Sequence, residues 1–189
     1  MTREELEHAI RAACDVAGDD AVYVFGSQAI LGQFPDAPAG LRQSVEVDIT
    51  PVSRLDRVDN IDGSLGELSP FHTAFGYYVH GLPIEEAAKL PAGWKDRVVA
   101  VRDAVGTLGK TGLCLEAHDL AASKLAAFRD KDRDFVRVLL VERLVSARVL
   151  KRRIQALDLP TEGRHRLSEW VELTSKGLSL RPRRPQGSR

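Results

Sequence analysis

The sequence has only two cysteines, no long apolar segment and no net charge, and each shortage excludes a class of protein. Cys14 and Cys114 belong to no Cys-x-x-Cys or Cys/His cluster, which excludes a disulfide framework and a zinc site and favours two buried free thiols. No apolar run is long enough to cross a bilayer, and the N-terminus carries no signal-peptide pattern. We therefore expect a cytoplasmic protein that does not contact a membrane.

The net charge of zero conceals an uneven distribution along the chain. Residues 129–189 contain 16 Lys and Arg but 8 Asp and Glu, a net charge of +8, so the preceding residues carry −8. A basic rear part behind an acidic front part indicates a polyanionic partner, such as RNA, on the basic side. A solvated helix surface with a basic tail would give the same distribution.

Apolar periodicity predicts an α/β (α+β) chain, in which a mixed sheet with flanking helices precedes a helical C-terminal segment. Thr2 and Glu5 form a capping-box pattern before a helix over residues 3–16. Strands are predicted at 21–25, 44–52, 74–80, 97–101 and 112–116.

From His118 onward the pattern is helical, and the charged run at 129–134 is expected to interrupt it. A second helix is predicted from Phe135 to about residue 157, and a short last helix at 164–175. We divide the chain into a core at 1–117, a helical part packed on that core at 118–176, and a disordered basic tail at 177–189.

Gly26 and Ser27 follow an apolar strand and precede a short helical pattern that ends at Leu31. Glycine lets a ligand approach the backbone closely, and a helix N-terminus offers N–H groups and the positive end of a dipole. Ser27 adds a hydroxyl donor. Together they favour a phosphate-binding turn, and a plain turn with an N-cap serine is the alternative.

Glu46 and Asp48 lie two residues apart in an alternating strand, so both carboxylates face the side opposite Val45, Val47 and Ile49. Two like charges this close repel each other unless a cation lies between them. Oxygen ligands suit Mg²⁺, which takes one or two protein carboxylates together with substrate phosphates. The pair therefore predicts a Mg²⁺ site, and an exposed strand face is the alternative.

Lys124, Lys131 and Asp132 share one side of a helix if that helix is continuous. A lysine on this side would meet a triphosphate, and Arg129 would bind a phosphate through two parallel donors. The alternative is a charged helix surface with internal ion pairs, such as Arg129 with Asp132 or Asp134.

Three segments in this order, FGSQA, EVD and DLAASKLAAFRDKD, resemble those of bacterial minimal nucleotidyltransferases of the AbiEii/MenT type. Those proteins are toxins of toxin–antitoxin systems within the DNA polymerase β-like nucleotidyltransferase superfamily. The resemblance extends from about Val22 to Leu140. It implies a nucleotidyltransferase fold, a cognate antitoxin, and Mg²⁺-dependent transfer of a nucleoside monophosphate from an NTP to RNA. The acceptor it implies is the 3′ end of tRNA, where added nucleotides would block aminoacylation and growth.

The resemblance also implies a role for each matching residue. Gly26 and Ser27 would cradle the triphosphate, and Glu46 and Asp48 would hold Mg²⁺. The implied catalytic residues are Glu46, Asp48, Lys124 and Asp132, with Asp132 as base or organiser. The implied nucleotide-binding residues are Gly26, Ser27, Lys124, Arg129 and Lys131.

Two departures from the superfamily pattern leave other functions open. Glu46 stands where an Asp is usual, and the third carboxylate found in many members is not identified. Glu116 and Asp119 are candidates for it, although Asp119 also suits a helix N-cap. The alternatives are an aminoglycoside-type nucleotidyltransferase with a small-molecule acceptor, and a non-catalytic protein that binds a nucleotide or an antitoxin.

Overall fold

A computed structural model describes residues 1–179, and its centre is a five-stranded mixed sheet in the order β3-β2-β1-β5-β4. The sheet pairs β1 antiparallel with β2 and parallel with β5; β2 and β3 are parallel, and β4 and β5 are antiparallel. This confirms the predicted mixed α/β architecture and agrees with a nucleotidyltransferase-like fold. The strands are β1 (Ala21–Phe25), β2 (Glu46–Pro51), β3 (Tyr78–Gly81), β4 (Val99–Val101) and β5 (Thr111–Cys114).

Helices flank the sheet and form the rear part of the chain. They are α1 (Arg3–Ala17), α2 (Ile30–Gln33), α3 (Val58–Leu65), α4 (Pro70–Phe75), α5 (Ile84–Ala87), α6 (Ala117–Ala127), α7 (Asp130–Val141), α8 (Ala147–Gln155) and α9 (Thr161–Ser179). Short 3₁₀ helices lie at Ser27–Ala29, Ala39–Leu41, Leu55–Arg57 and Trp94–Arg97. No helix within residues 1–179 combines the length and apolar character that crossing a membrane requires.

Helix α1 covers the sheet with its apolar side. The capping box of Thr2 and Glu5 is formed, and Gly18 ends the helix in the left-handed region at φ 63°. Leu6 and Ile10 are fully buried, and the helix packs against β1, β2 and β5. Cys14 and Cys114 are buried free thiols, as predicted.

The rear helices pack on one another and on the sheet region. Helix α6 contacts α7, α8, α2 and the Ser27–Ala29 turn. The last contact brings the C-terminal helices beside the turn that follows β1. It therefore places side chains of the front and rear parts of the chain around one space.

Several sequence predictions differ from the structure at element boundaries. The strand predicted at 74–80 begins only at Tyr78, because Ser69 caps a helix with Pro70 in its first turn, and Gly76 ends that helix at φ 76°. The charged run at 129–134 does not interrupt a helix but starts α7, and the break falls at Phe128, which has φ 53°.

The helix predicted from Phe135 to about residue 157 is two helices, α7 and α8, separated at Arg143, which has φ 58°. The last helix, α9, is longer than predicted and includes the first three residues assigned to the basic tail. The rest of that tail, 180–189, lies outside the described residues. The division into core, helical part and tail stays a prediction.

Candidate functional site

The residues singled out from the sequence line one open cleft of about 840 Å³ between the sheet and α6–α7. Strand β2 and the turn after β1 form one wall, and the end of α6 with the start of α7 forms the other. All eight predicted site residues contribute to the lining: Gly26, Ser27, Glu46, Asp48, Lys124, Arg129, Lys131 and Asp132. The cleft thus places two carboxylates opposite several cations.

Glu46 and Asp48 project from the same face of β2, as the alternation predicts. Val47 and Ile49, on the opposite face, are fully buried, which fixes the direction of the two acids. Their side chains are 36% and 23% exposed, so both reach the cleft. Val45 lies just before the strand and is exposed, so the predicted apolar face contains only Val47 and Ile49 of the three.

Gly26 lies directly against the carboxylate of Asp48. Its φ of 73° is in the region that favours glycine, and a Cβ at this position would collide with Asp48 Oδ2. The smallest residue is thus required where the turn after β1 meets the acid on β2. This contact explains why the apolar strand β1 ends in Gly-Ser.

The helix that follows Gly26 is shorter than the phosphate-site argument assumed. Ser27–Ala29 is a single 3₁₀ turn, and α2 adds only four residues. A dipole of this length is small, since it sums over few peptide units. Phosphate binding here would depend on the Ser27 hydroxyl more than on a helix dipole.

His80 is the site residue that the sequence analysis missed. It lies on β3 in register with Asp48, and its Nδ1 is 2.9 Å from Glu46 Oε1 and 3.5 Å from Asp48 Oδ1. Glu46, Asp48 and His80 each offer one ligand atom, and these atoms lie within 4.8 Å of one another. This donor set fits a divalent cation.

Burial raises the pKa of Asp48 to about 6, with a further contribution from the adjacent Glu46 carboxylate. Lys124 and His80 act in the opposite direction but do not cancel it. A raised pKa is the expected property of an acid that is buried beside a second carboxylate. A bound divalent cation would relieve this repulsion.

Lys124, Asp132 and Arg129 form a connected group on the opposite wall. Asp132 is 1% exposed and accepts hydrogen bonds from Arg129 Nε at 2.6 Å and from a second Arg129 nitrogen at 3.3 Å. Lys124 Nζ lies 3.5 Å from Asp132 Oδ1. Burial lowers the pKa of Lys124, although Asp132 and Asp48 oppose the shift.

This group combines both readings of the sequence. Arg129 and Asp132 form an internal ion pair, as the alternative anticipated. The same Asp132 carboxylate also holds Lys124 at the cleft. Both oxygens of Asp132 are thus engaged by Lys124 and Arg129. Lys131 is exposed and lines the cleft beside them.

The two candidates for a third carboxylate lie elsewhere in the fold. Glu116 caps α6, accepting from the backbone amides of His118 and Asp119, and it contacts His118 Nδ1 at 2.6 Å. Asp119 is fully buried and pairs with Arg97 at 2.7 Å and Arg153 at 2.9 Å. Neither lines the cleft, and both hold α6 in place.

A family model described as a nucleotidyltransferase of unknown function (DUF6036) matches residues 4–173. The match extends from α1 into α9 and contains every residue of the cleft. No curated protein and no solved structure gives a significant match to the chain.

Proposed function

Because the chain belongs to the DUF6036 family of nucleotidyltransferases, we propose that its cleft transfers a nucleoside monophosphate from an NTP to an acceptor hydroxyl. The observation that carries this proposal is the convergence of Glu46 and Asp48 with Gly26 on one wall and Lys124 on the other. An anionic triphosphate with a divalent cation is the ligand that such a combination of acids and cations fits.

The reaction would be an in-line displacement at the α-phosphorus. The acceptor oxygen forms a bond to that phosphorus, the bond to the bridging oxygen of the β-phosphate breaks, and pyrophosphate leaves. The proton of the attacking hydroxyl is released to solvent. Positioning and electrostatic stabilisation supply most of the rate in reactions of this class.

Glu46 and Asp48 would hold the metal ion, for which the resemblance implies Mg²⁺. Such an ion supplies Lewis-acid neutralisation of charge on the phosphates when bound. Gly26 leaves room for the Asp48 carboxylate against the turn after β1, and Ser27 adds a hydroxyl donor for a phosphate. These residues would set where the α-phosphate lies relative to the acceptor.

Lys124 would bind the phosphates from the opposite wall. Its side chain is only 14% exposed, so its charge acts in a partly dry environment where electrostatic contacts are stronger than in water. Arg129 is 59% exposed and presents its guanidinium to the cleft while it is held by Asp132. Asp132 is therefore proposed as a positioning residue.

We further propose RNA as the acceptor. Next to the cleft, Phe128, Arg133, Arg137, Arg166 and Trp170 form a surface that we call the arginine–aromatic surface. The guanidinium groups of Arg133 and Arg166 lie 4.8 Å and 5.3 Å from the Phe128 ring centroid, and Arg137 lies 5.9 Å from that of Trp170. Aromatic rings combined with arginines are typical of surfaces that bind single-stranded nucleic acid.

The resemblance to AbiEii/MenT-type proteins supports a more specific version of this proposal. In it, the acceptor is the 3′ end of tRNA, the activity makes the protein a toxin of the cytoplasm, and a cognate antitoxin neutralises it. Induced expression should then stop growth and leave tRNA that cannot be aminoacylated. Expression of an Asp48→Asn variant to the same level should leave growth unaffected.

The direct test incubates the purified protein with each α-labelled NTP, Mg²⁺ or Mn²⁺, and total RNA. We expect label in RNA with the wild type and with Asp59→Asn, which changes an exposed acid on α3. The Glu46→Gln/Asp48→Asn double variant should lose at least about a hundredfold in rate, since it removes the charge that holds the ion.

The outcomes separate the alternatives. In a parallel assay with aminoglycosides as acceptors, label in an aminoglycoside and none in RNA would favour a small-molecule acceptor. Equal labelling by the wild type and the double variant would refute the assignment of the cleft. Absence of transfer from any NTP to either class of acceptor would favour a protein that only binds its partners.

A further inference from the structure

We propose that His80 is a third protein ligand of the metal ion held by Glu46 and Asp48, and that this site prefers divalent transition ions to Mg²⁺. The proposal rests on the metal site of the proposed function, but it concerns ion binding and not nucleotide transfer. It differs from the all-oxygen site that the two carboxylates predicted from the sequence.

The backbone places His80 beside the acids. Strands β2 and β3 are parallel, and Asp48 is the register partner of His80. Register partners project from the same face of a sheet. The pairing of β2 with β3 therefore places the imidazole next to the carboxylates.

The distances suit shared coordination. Two adjacent ligands that each lie about 2.1 Å from an octahedral ion are about 3 Å apart, and opposite ligands are about 4 Å apart. His80 Nδ1 lies 2.9 Å from Glu46 Oε1 and 3.5 Å from Asp48 Oδ1. An ion among these atoms therefore needs only small side-chain movements, and it takes the place of the contact between Nδ1 and Glu46.

The site is also accessible. The side chain of His80 is 41% exposed and that of Glu46 is 36% exposed, and both line the cleft. An ion can enter from solvent and keep waters or phosphate oxygens at its other positions. This arrangement resembles open sites, in which the protein supplies only part of the coordination shell.

The donor set explains the preference among ions. Mg²⁺ favours oxygen ligands, whereas an imidazole nitrogen adds affinity for first-row transition ions. Replacing the oxygen of a third carboxylate with this nitrogen should therefore shift the site away from Mg²⁺. The Glu46 side chain, longer than Asp, reaches toward Nδ1 and allows the nitrogen to share the ion.

The test uses Mn²⁺ as the probe with the full-length protein and no nucleotide. Pulsed electron paramagnetic resonance reports a nitrogen coupled to bound Mn²⁺, and competition titration gives the ratio of Mn²⁺ to Mg²⁺ affinity. We expect a nitrogen coupling in the wild type and in His165→Gln, which changes an exposed histidine on α9. His80→Asp should bind Mn²⁺ without the coupling, and the affinity ratio should fall about tenfold.

A second variant separates ligation from simple positioning. His80→Gln keeps a hydrogen-bond donor for Glu46 but removes the ligating nitrogen, so we expect Mn²⁺ affinity to fall about tenfold or more. Unchanged affinity in this variant would overturn the proposal and leave His80 as a partner of Glu46 alone. Circular dichroism of each variant verifies that it is folded.

Other results also overturn the proposal. These are Mn²⁺ bound to the wild type without nitrogen coupling, a coupling that persists in His80→Asp, or no Mn²⁺ binding at all. If Asp48→Asn abolishes Mn²⁺ binding while the wild type lacks the coupling, the carboxylate site stands without His80. If the coupling is present but the labelling assay shows no transfer, the proposed function fails and His80 remains a ligand.

Discussion

At the scale of single residues, Gly26 is held between its own backbone conformation and the carboxylate of Asp48. Its φ of 73° disfavours any side chain, and the space for a Cβ is already occupied by Asp48. We expect Gly26→Ala to move the Asp48 carboxylate, to weaken Mn²⁺ binding at least about tenfold and to destabilise the fold by about 1–3 kcal/mol. Mn²⁺ titration and urea denaturation measure these two effects.

Gly40 provides the matched control for this substitution. It also lines the cleft, but a Cβ there would meet nothing within 4 Å. Gly40→Ala should therefore leave both quantities nearly unchanged. A Gly26→Ala variant that binds Mn²⁺ as the wild type does would contradict the close approach of Gly26 to Asp48.

Asp48 makes the stability of the ion-free protein depend on pH. Burial and the Glu46 carboxylate raise its pKa from 3.8 to about 6. The folded state holds this proton more tightly than the unfolded state, so the contribution of Asp48 to stability is greatest below about pH 4 and falls as pH rises through about 6. At pH 7.5 the folded protein must hold Asp48 as a charged, mostly buried carboxylate, which costs free energy. Asp48→Asn removes this cost, and we expect it to stabilise the ion-free protein by about 1–3 kcal/mol at pH 7.5.

Urea denaturation at several pH values in the presence of a chelator measures this effect. The gain from Asp48→Asn should shrink toward zero near pH 4, and Asp59→Asn should show no comparable change with pH. A gain that is constant from pH 4 to 8 would mean that Asp48 does not carry a raised pKa.

At the scale of elements, helix ends set the arrangement of the rear part. Helix α7 ends in a Schellman motif: Leu144 N–H donates to Leu139 at 2.9 Å, and Arg143 N–H donates to Leu140 at 3.2 Å. The residue at the left-handed position is Arg143, with φ 58°, where glycine is preferred. Arg143 is exposed, and its backbone conformation is one that a residue with a side chain adopts only with strain.

We expect Arg143→Gly to stabilise the protein by about 0.5–1 kcal/mol, since relief of the left-handed strain exceeds the added entropy of the unfolded chain. Arg152→Gly is the matched control, because it changes an exposed arginine inside helix α8 and should destabilise the protein by about 1 kcal/mol. Thermal and urea denaturation compare the two. Destabilisation by Arg143→Gly would show that the side chain contributes more than the strain costs.

The same helix ends show what the sequence allows to be predicted. Helix α1 and strands β1 and β2 carry local signals, namely a capping box, an apolar run and an alternating pattern, and each was found. The breaks at Phe128 and Arg143 carry no glycine or proline, although both residues lie in the left-handed region. Local patterns therefore could not locate the ends of α6 and α7.

The site residues also divide into those that local sequence patterns indicate and those that only the fold brings together. Glu46 and Asp48 could be chosen because two acids at this spacing have a chemical meaning on one strand, and Lys124 because its helical segment carries the resemblance. His80 reaches the acids only through the pairing of β2 with β3, which the sequence does not specify. The contacts of Asp132 with Lys124 of α6 and with Arg129 at the start of α7 form across the break between these two helices. The sequence does not locate this break.

At the scale of the whole molecule, the fold brings acidic and basic residues from distant parts of the chain around one cleft. The front part supplies the carboxylates of β2 and Lys124 of α6, and the basic rear part supplies Arg129 and Lys131. The arginine–aromatic surface continues from Phe128, next to Arg129, onto α9. If RNA is the acceptor, as proposed, this surface would lie beside the nucleotide bound in the cleft.

This arrangement predicts how RNA binding depends on salt. Affinity for a short single-stranded RNA should fall steeply with salt, and the log–log slope should become shallower by about 1.4 in Arg133→Gln/Arg166→Gln, because two phosphate contacts are lost. Filter binding at salt concentrations from about 50 to 300 mM measures the slope. Arg57→Gln/Arg102→Gln removes the same charge from exposed positions outside the cleft lining and should leave the slope unchanged. Equal slopes for the two double variants would place the RNA on another surface, and affinity independent of salt would exclude a polyanionic acceptor.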